Sequence, residues 1–215
     1  MDEPLFGEPP VTVAPGAVHV PGWLGAEAQR TLLEHCRAWA SGPAGTRRHT
    51  MPRGGRMSVS MTSLGWFWKP YSYSGLLPDG TPVQPFPEPL ADLARRALDA
   101  YGRPLADDDP PYDIALVNFY DADAHMGMHQ DKDEHADMPV VSLSLGDTCL
   151  FRFGNTETRT RPYTDVELRS GDLFVFGGPS RLAYHGVPCT RPGTAPAWLG
   201  LRGRLNITLR ALGRP

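Results

Sequence analysis

At 215 residues with 40% apolar side chains, the chain suits one domain with a substantial core, and no apolar run approaches the length of a membrane span. A net charge of −3 and a pI near 6.1 exclude nucleic-acid binding through overall basicity, so any phosphate-binding patch has to be local. Cys36, Cys149 and Cys189 lack CxxC spacing and read as buried reduced thiols; with no signal-peptide pattern, they give an expected cytoplasmic setting.

The stretch to Gly22, rich in Pro, Gly and Val, is expected to wrap the surface or add an edge strand. From Gly25 to Ala40, Leu32, Leu33, Cys36 and Trp39 recur at helical spacing, with the charged residues off that stripe, which predicts one amphipathic helix. Ser41 to Gly55 reads as a mobile loop, basic through Arg47, Arg48, Arg53 and the adjoining Arg56. Met57–Met61 alternates as a strand does, and Trp66, Phe67, Trp68, Tyr71 and Tyr73 form a dense aromatic cluster after it. Pro87 to Tyr101 predicts the second helix, stopped by Gly102 and Pro104, and the acidic segment from Asp107 to Pro111 is a linker.

Beyond Asp113 the pattern turns to short strands: Leu116–Tyr120, Val140–Leu145, Cys149–Phe153, Val166–Arg169, Leu173–Phe176, Leu182–Val187 and Leu205–Leu212. With helices confined to the first half, this predicts a mainly β (α+β) protein, a double-stranded β-helix or jelly roll with helices packed outside. Residues 1–112 read as an N-terminal extension with helices and 113–215 as the jelly-roll core, the two forming one compact unit.

His129 and Asp131 stand at i and i+2, a spacing that in extended backbone turns both side chains to one face. His-x-Asp alone is a weak motif and occurs again at His135-x-Asp137, in a polar connector that reads as a loop. The first pair follows a strand and has a distant candidate partner in His185. Two imidazoles and one carboxylate with open positions suit Fe(II), whereas a closed zinc site wants a fourth side chain. Such an iron leaves room for a bidentate 2-oxo acid and O₂, and the far carboxylate of that acid needs a buried cation. In the last strand Arg204, Asn206, Thr208 and Arg210 alternate with Leu205, Ile207 and Leu209. Two Arg turned inward would be costly unless each met an anion. Asn118 and Tyr120 share a strand face and offer neutral hydrogen bonds to the same acid.

Taken together, Asn118-Phe119-Tyr120, the run His129 to Glu134, Val141 to Gly146, Ser180 to Gly186, and Arg204-x-Asn206-x-Thr208-x-Arg210 resemble the AlkB family of Fe(II)- and 2-oxoglutarate-dependent nucleic-acid demethylases, over about Val59 to Arg210. The resemblance implies His129, Asp131 and His185 as catalytic iron ligands, and Asn118, Tyr120, Arg204, Asn206 and Arg210 around 2-oxoglutarate. It further implies that Met57 to Tyr73 is an N-terminal nucleotide-covering segment. There Trp66 is the stacking aromatic, with Trp68 its rival, and Tyr71 and Tyr73 lie near the substrate backbone. Asp133 is then the acid that meets an exocyclic amine, and Arg159 a substrate contact. The expected substrate is an N-alkylated base of the 1-methyladenine or 3-methylcytosine type in DNA or RNA; no membrane and no obligate protein partner are expected. An aromatic face and a carboxylate both favour such a cationic base, which pairs poorly and is easier to extrude.

Overall fold

The computed structural model describes residues 8–52 and 54–213; Arg53 of the predicted basic loop lies outside the described residues. In chain order the elements are β1 (Val11–Ala14), β2 (Ala17–Val20), α1 (Ala26–Ser41), β3 (Ser60–Leu64), β4 (Phe67–Lys69), β5 (Ser72–Ser74), α2 (Glu88–Tyr101), β6 (Ile114–Tyr120), β7 (Met126–His129), β8 (Val140–Gly146), β9 (Thr148–Gly154), β10 (Tyr163–Leu168), β11 (Leu173–Phe176), β12 (His185–Arg191) and β13 (Arg204–Arg210). An antiparallel seven-stranded sheet has the order β1-β2-β11-β8-β13-β6-β3, and a four-stranded one the order β10-β9-β12-β7. From β6 onward the chain crosses repeatedly between these sheets. That is the winding of a double-stranded β-helix.

The large sheet is buried on both faces. On one, Leu205, Ile207 and Leu209 pack with Leu33 and Cys36 of α1 and Leu90 and Leu98 of α2. Each such side chain contributes about 1.5–3 kcal/mol when fully buried, which fixes the helices on this face. The other face meets the small sheet through Phe151, Phe153, Phe174 and Phe176. Because Leu205, Ile207 and Leu209 of β13 face the helices, its polar set points the other way, and Asn206, Thr208 and Arg210 line a cavity with Phe151 and Val187 of the small sheet. Segments on both sides of position 112 share the large sheet, because β1, β2 and β3 all join it. No described helix is long and apolar enough to cross a membrane.

Several boundaries differ from the sequence pattern. The strand predicted at Met57–Met61 begins at Ser60, because the residues before it bond elsewhere: Met57 N–H to His49 O (2.9 Å) and Ser58 Oγ to His125 O (2.8 Å). The strand predicted at Leu182–Val187 begins at His185; Ala183 N–H closes a turn onto Ser180 O (2.9 Å). The last strand ends at Arg210, where Leu212 N–H turns aside to Asp113 Oδ1 (2.8 Å). His129, expected just beyond a loop, ends a strand of its own, β7. The basic loop is closed by two isolated bridges, Arg47 with Met61 and Thr50 with Arg56. All three thiols are free, and Cys189 is exposed, not buried as expected: the register of β12 against β9 breaks between Gly186 and Cys189, so alternation along the strand does not carry it inward.

Candidate active site

Strands β12 and β7 pair so that His185 faces His129 directly across the ladder. Asp131 follows two residues later and closes the group. The Nε2 atoms of His129 and His185 each lie 3.5 Å from an Asp131 carboxylate oxygen, and the two rings are 4.4 Å apart. Each imidazole has its Nδ1 2.9 Å from a backbone carbonyl, Gly127 O for His129 and Ala183 O for His185. With Nδ1–H donating there, both Nε2 lone pairs point at one place. Among the described residues this is the one group arranged to hold a metal ion, and it leaves positions open. The His135/Asp137 pair stays in an exposed connector.

Electrostatics prepare the carboxylate. Burial works to protonate Asp131, but Arg210 and the neighbouring imidazoles outweigh it and hold the carboxyl well below the usual range. Burial also lowers the His185 pKa, which keeps that imidazole a neutral ligand. Arg210 Nη2 is 2.6 Å from Asp131 Oδ2, and its Nη1 reaches Glu134 Oε1 (3.0 Å) and the Tyr73 hydroxyl (3.1 Å). Arg181 adds a second clamp, donating to Asp131 O (2.6 Å), Met138 O (2.8 Å) and Glu134 Oε2 (3.1 Å). Glu134 and Arg181 were not singled out from sequence. The only signal was their presence inside longer motifs, because neither stands at ligand spacing.

The triad opens into a cavity whose wall includes Asn118, Tyr120, Asn206 and Arg210. Arg204 stands opposite Tyr120 in the β13–β6 ladder and is 1% exposed. Its Nη2 donates to Ser144 Oγ (2.9 Å), while Nε and Nη1 have no partner, and no described carboxylate pairs with it. A bare buried guanidinium of this kind implies an anion that completes it. Asn118 Oδ1 is also buried without a partner, but as an acceptor it calls for a donor and not for an anion. Asn206 borders the cavity too, but its amide nitrogen donates to Ser142 Oγ (2.7 Å) and Leu143 O (3.2 Å) and locks it to β8. The donor set therefore fits a ferrous ion, and the orphaned guanidinium fits the distal carboxylate of 2-oxoglutarate.

A second cleft is walled by Trp66, Tyr71, Tyr73, His135 and by Lys132 and Asp133, which follow Asp131 in the chain. Four of the five predicted substrate residues thus converge, on the β4–β5 hairpin and the segment after β7. Trp66 donates its indole N–H to Asp113 Oδ2 (2.9 Å); Trp68 donates to Asp133 Oδ2 itself (3.1 Å). Tyr71, exposed at the hairpin tip, has φ of 69°, a costly conformation for a bulky residue. Arg159 is elsewhere, exposed with its guanidinium over the Tyr184 ring.

Residues 16–210 match the family model of the 2OG-Fe(II) oxygenase superfamily. The chain is also 42% identical over 209 residues to an α-ketoglutarate-dependent dioxygenase AlkB homolog of Caulobacter vibrioides, covering 94% of this chain and 90% of the relative. The chain belongs to the AlkB family. Within the AlkB family, a DNA N(6)-methyladenine demethylase, ALKBH1C of Arabidopsis thaliana, is 32% identical over 222 residues, covering 92% of this chain and 49% of that one. The solved structure of OsALKBH1 superposes with a TM-score of 0.83 at 37% identity, covering 94% of this chain and all of that one. In this AlkB-family chain His129 and His185 lie on the small sheet and the buried Arg204 on the large one.

Proposed function

We propose that this AlkB-family dioxygenase oxidatively removes methyl groups from N-methylated bases of nucleic acid, with 1-methyladenine and 3-methylcytosine in DNA as its substrates. The observation that carries the reading is the aromatic cleft with a carboxylate at its wall, which Lys132 and Asp133 line immediately after the triad residue Asp131 in the chain. That combination suits a flat cationic base presented to an oxidising centre. The relative named as a DNA demethylase supports nucleic acid as the substrate class.

Fe(II) held by the triad, with 2-oxoglutarate and O₂, supplies the oxidising power to hydroxylate an N-methyl C–H bond. The chain's own groups position and shield. Arg204, Tyr120 and the amide N–H of Asn118 receive the distal carboxylate of the diacid; burial raises the Tyr120 phenol pKa, so it acts as a neutral donor. Trp66 stacks on the base, Asp133 accepts from its exocyclic amine, and Tyr71 and Tyr73 flank the strand. Hydroxylation of the methyl group gives a hemiaminal, which loses formaldehyde and restores the base. Residues 57–73 serve as the covering lid of a single compact unit, and the free thiols suit a reducing, cytoplasmic compartment.

The test is direct. Purified protein with Fe(II) and 2-oxoglutarate should release formaldehyde from oligonucleotides carrying 1-methyladenine or 3-methylcytosine, and His129→Ala should not. Oxidation of small molecules with none on any methylated oligonucleotide would overturn the substrate class.

A further inference from the structure

A buried, interlocked polar group joins the aromatic hairpin to Asp131, the carboxylate of the candidate triad. Tyr73 lies on β5, opposite Trp68 in the hairpin ladder, and forms part of the cleft wall. Its hydroxyl donates to Glu134 Oε1 (2.5 Å) and accepts from Arg210 Nη1 (3.1 Å). Arg210 in turn touches Asp131 Oδ2 through Nη2 (2.6 Å). Glu134, with a fully inaccessible side chain, is held between Arg210 and Arg181, and Arg181 also grips the backbone of Asp131. Two carboxylates and two guanidinium groups balance in charge, so no member can swing away without stranding a buried ion. A displacement at Tyr73 is therefore passed on to Asp131.

We infer that the Tyr73 hydroxyl is a positioning group, linking occupancy of the cleft to the orientation of Asp131 and so to metal affinity. It stands outside the His129–Asp131–His185 group and acts through Glu134 and Arg210. The linkage is reciprocal: a ligand that seats the hairpin tightens the metal, and the metal tightens that ligand by the same factor. The inference rests on the reading of the cleft as a nucleic-acid site, but its metal arm does not.

Mn(II), which turns over nothing here, serves as the probe, its free fraction read by electron paramagnetic resonance with and without an oligonucleotide carrying 3-methylcytosine. Tyr73→Phe keeps the ring and removes only the hydroxyl. It should bind Mn(II) roughly tenfold more weakly, as outer groups around metal ligands typically do when altered. It should also lose the tightening that the oligonucleotide produces in the unaltered protein, a factor that a merely structural defect would leave in place. Glu134→Gln should reproduce both effects, and the double variant should lose no more than Glu134→Gln alone. Unchanged Mn(II) affinity in Tyr73→Phe, an unchanged linkage factor, or full additivity in the double variant would each overturn the inference. Failure of the unaltered protein to bind the oligonucleotide would instead sink the substrate reading, and Mn(II) affinity alone would still decide the role of Tyr73.

Discussion

His185 sits directly opposite His129 across the β7–β12 ladder, and the residue after it, Gly186, has no room for a side chain against β7. A Cβ built on Gly186 would lie 2.7 Å from Met126 O and 3.0 Å from Gly127 O, both backbone atoms of β7. Gly186→Ala should therefore push β7 outward and carry His129 with it. We expect a stability loss of about 1–3 kcal/mol, the range for overpacking, together with weakened metal binding. Thermal melting paired with a Mn(II) titration checks it; full metal affinity would mean that the ladder does not set the position of His129.

Arg204 should matter for the cosubstrate and not for the metal. Arg204→Lys keeps a charge but loses the planar fork whose Nε and Nη1 stand bare. The loss of charge-assisted hydrogen bonds worth about 1.5–3 kcal/mol corresponds to a rise of roughly 10- to 100-fold in KM for 2-oxoglutarate. Mn(II) affinity measured without 2-oxoglutarate should stay as it was. A rise in KM below twofold would remove Arg204 from the cosubstrate site.

The two tryptophans of the hairpin should separate by the size of their effects. Trp66 walls the cleft, and Trp66→Ala should weaken binding of a methylated oligonucleotide by the ~1–3 kcal/mol that one base–aromatic stack is worth. Trp68 instead holds Asp133 by one indole hydrogen bond. Because Trp68 reaches the cleft only through Asp133, Trp68→Phe should weaken binding less than Trp66→Ala does. Fluorescence anisotropy gives both numbers, and a larger loss in Trp68→Phe would exchange the two assignments.

Tyr71 offers a trade between stability and use. At φ of 69° its side chain pays a penalty that glycine does not, so Tyr71→Gly should raise the unfolding free energy, by up to ~1 kcal/mol. The same change removes an exposed aromatic from the cleft and should slow demethylation of oligonucleotides. Denaturant melts and formaldehyde release measure the two sides. A destabilised variant would show that Tyr71 packing outweighs its backbone strain.

Local pattern carried most of the fold. The stripe of Leu32, Leu33, Cys36 and Trp39 and the αL stop at Gly102 are set within a few residues of chain, so both helices fell within a residue or so of their expected ends. Strand β7 had no such signal. Met126-Gly127-Met128 does not alternate in polarity, and it becomes a strand because β12 offers it an edge.

The sequence by itself determined which side chains are candidates for the chemistry: the i, i+2 spacing of His129 and Asp131 and the alternation of Arg204 to Arg210 match the two-residue period of extended backbone. Only the tertiary structure decided what each one does. Alternation makes Arg204 and Arg210 equivalent, yet Arg210 spends its Nη atoms on Asp131, Glu134 and Tyr73 while Arg204 is left largely bare. That difference comes from partners far away in the chain, brought up by strand register and by the hairpin folded against it. Hydrogen-bond supply at a buried cation is a property of the packed neighbourhood, and no local period encodes it.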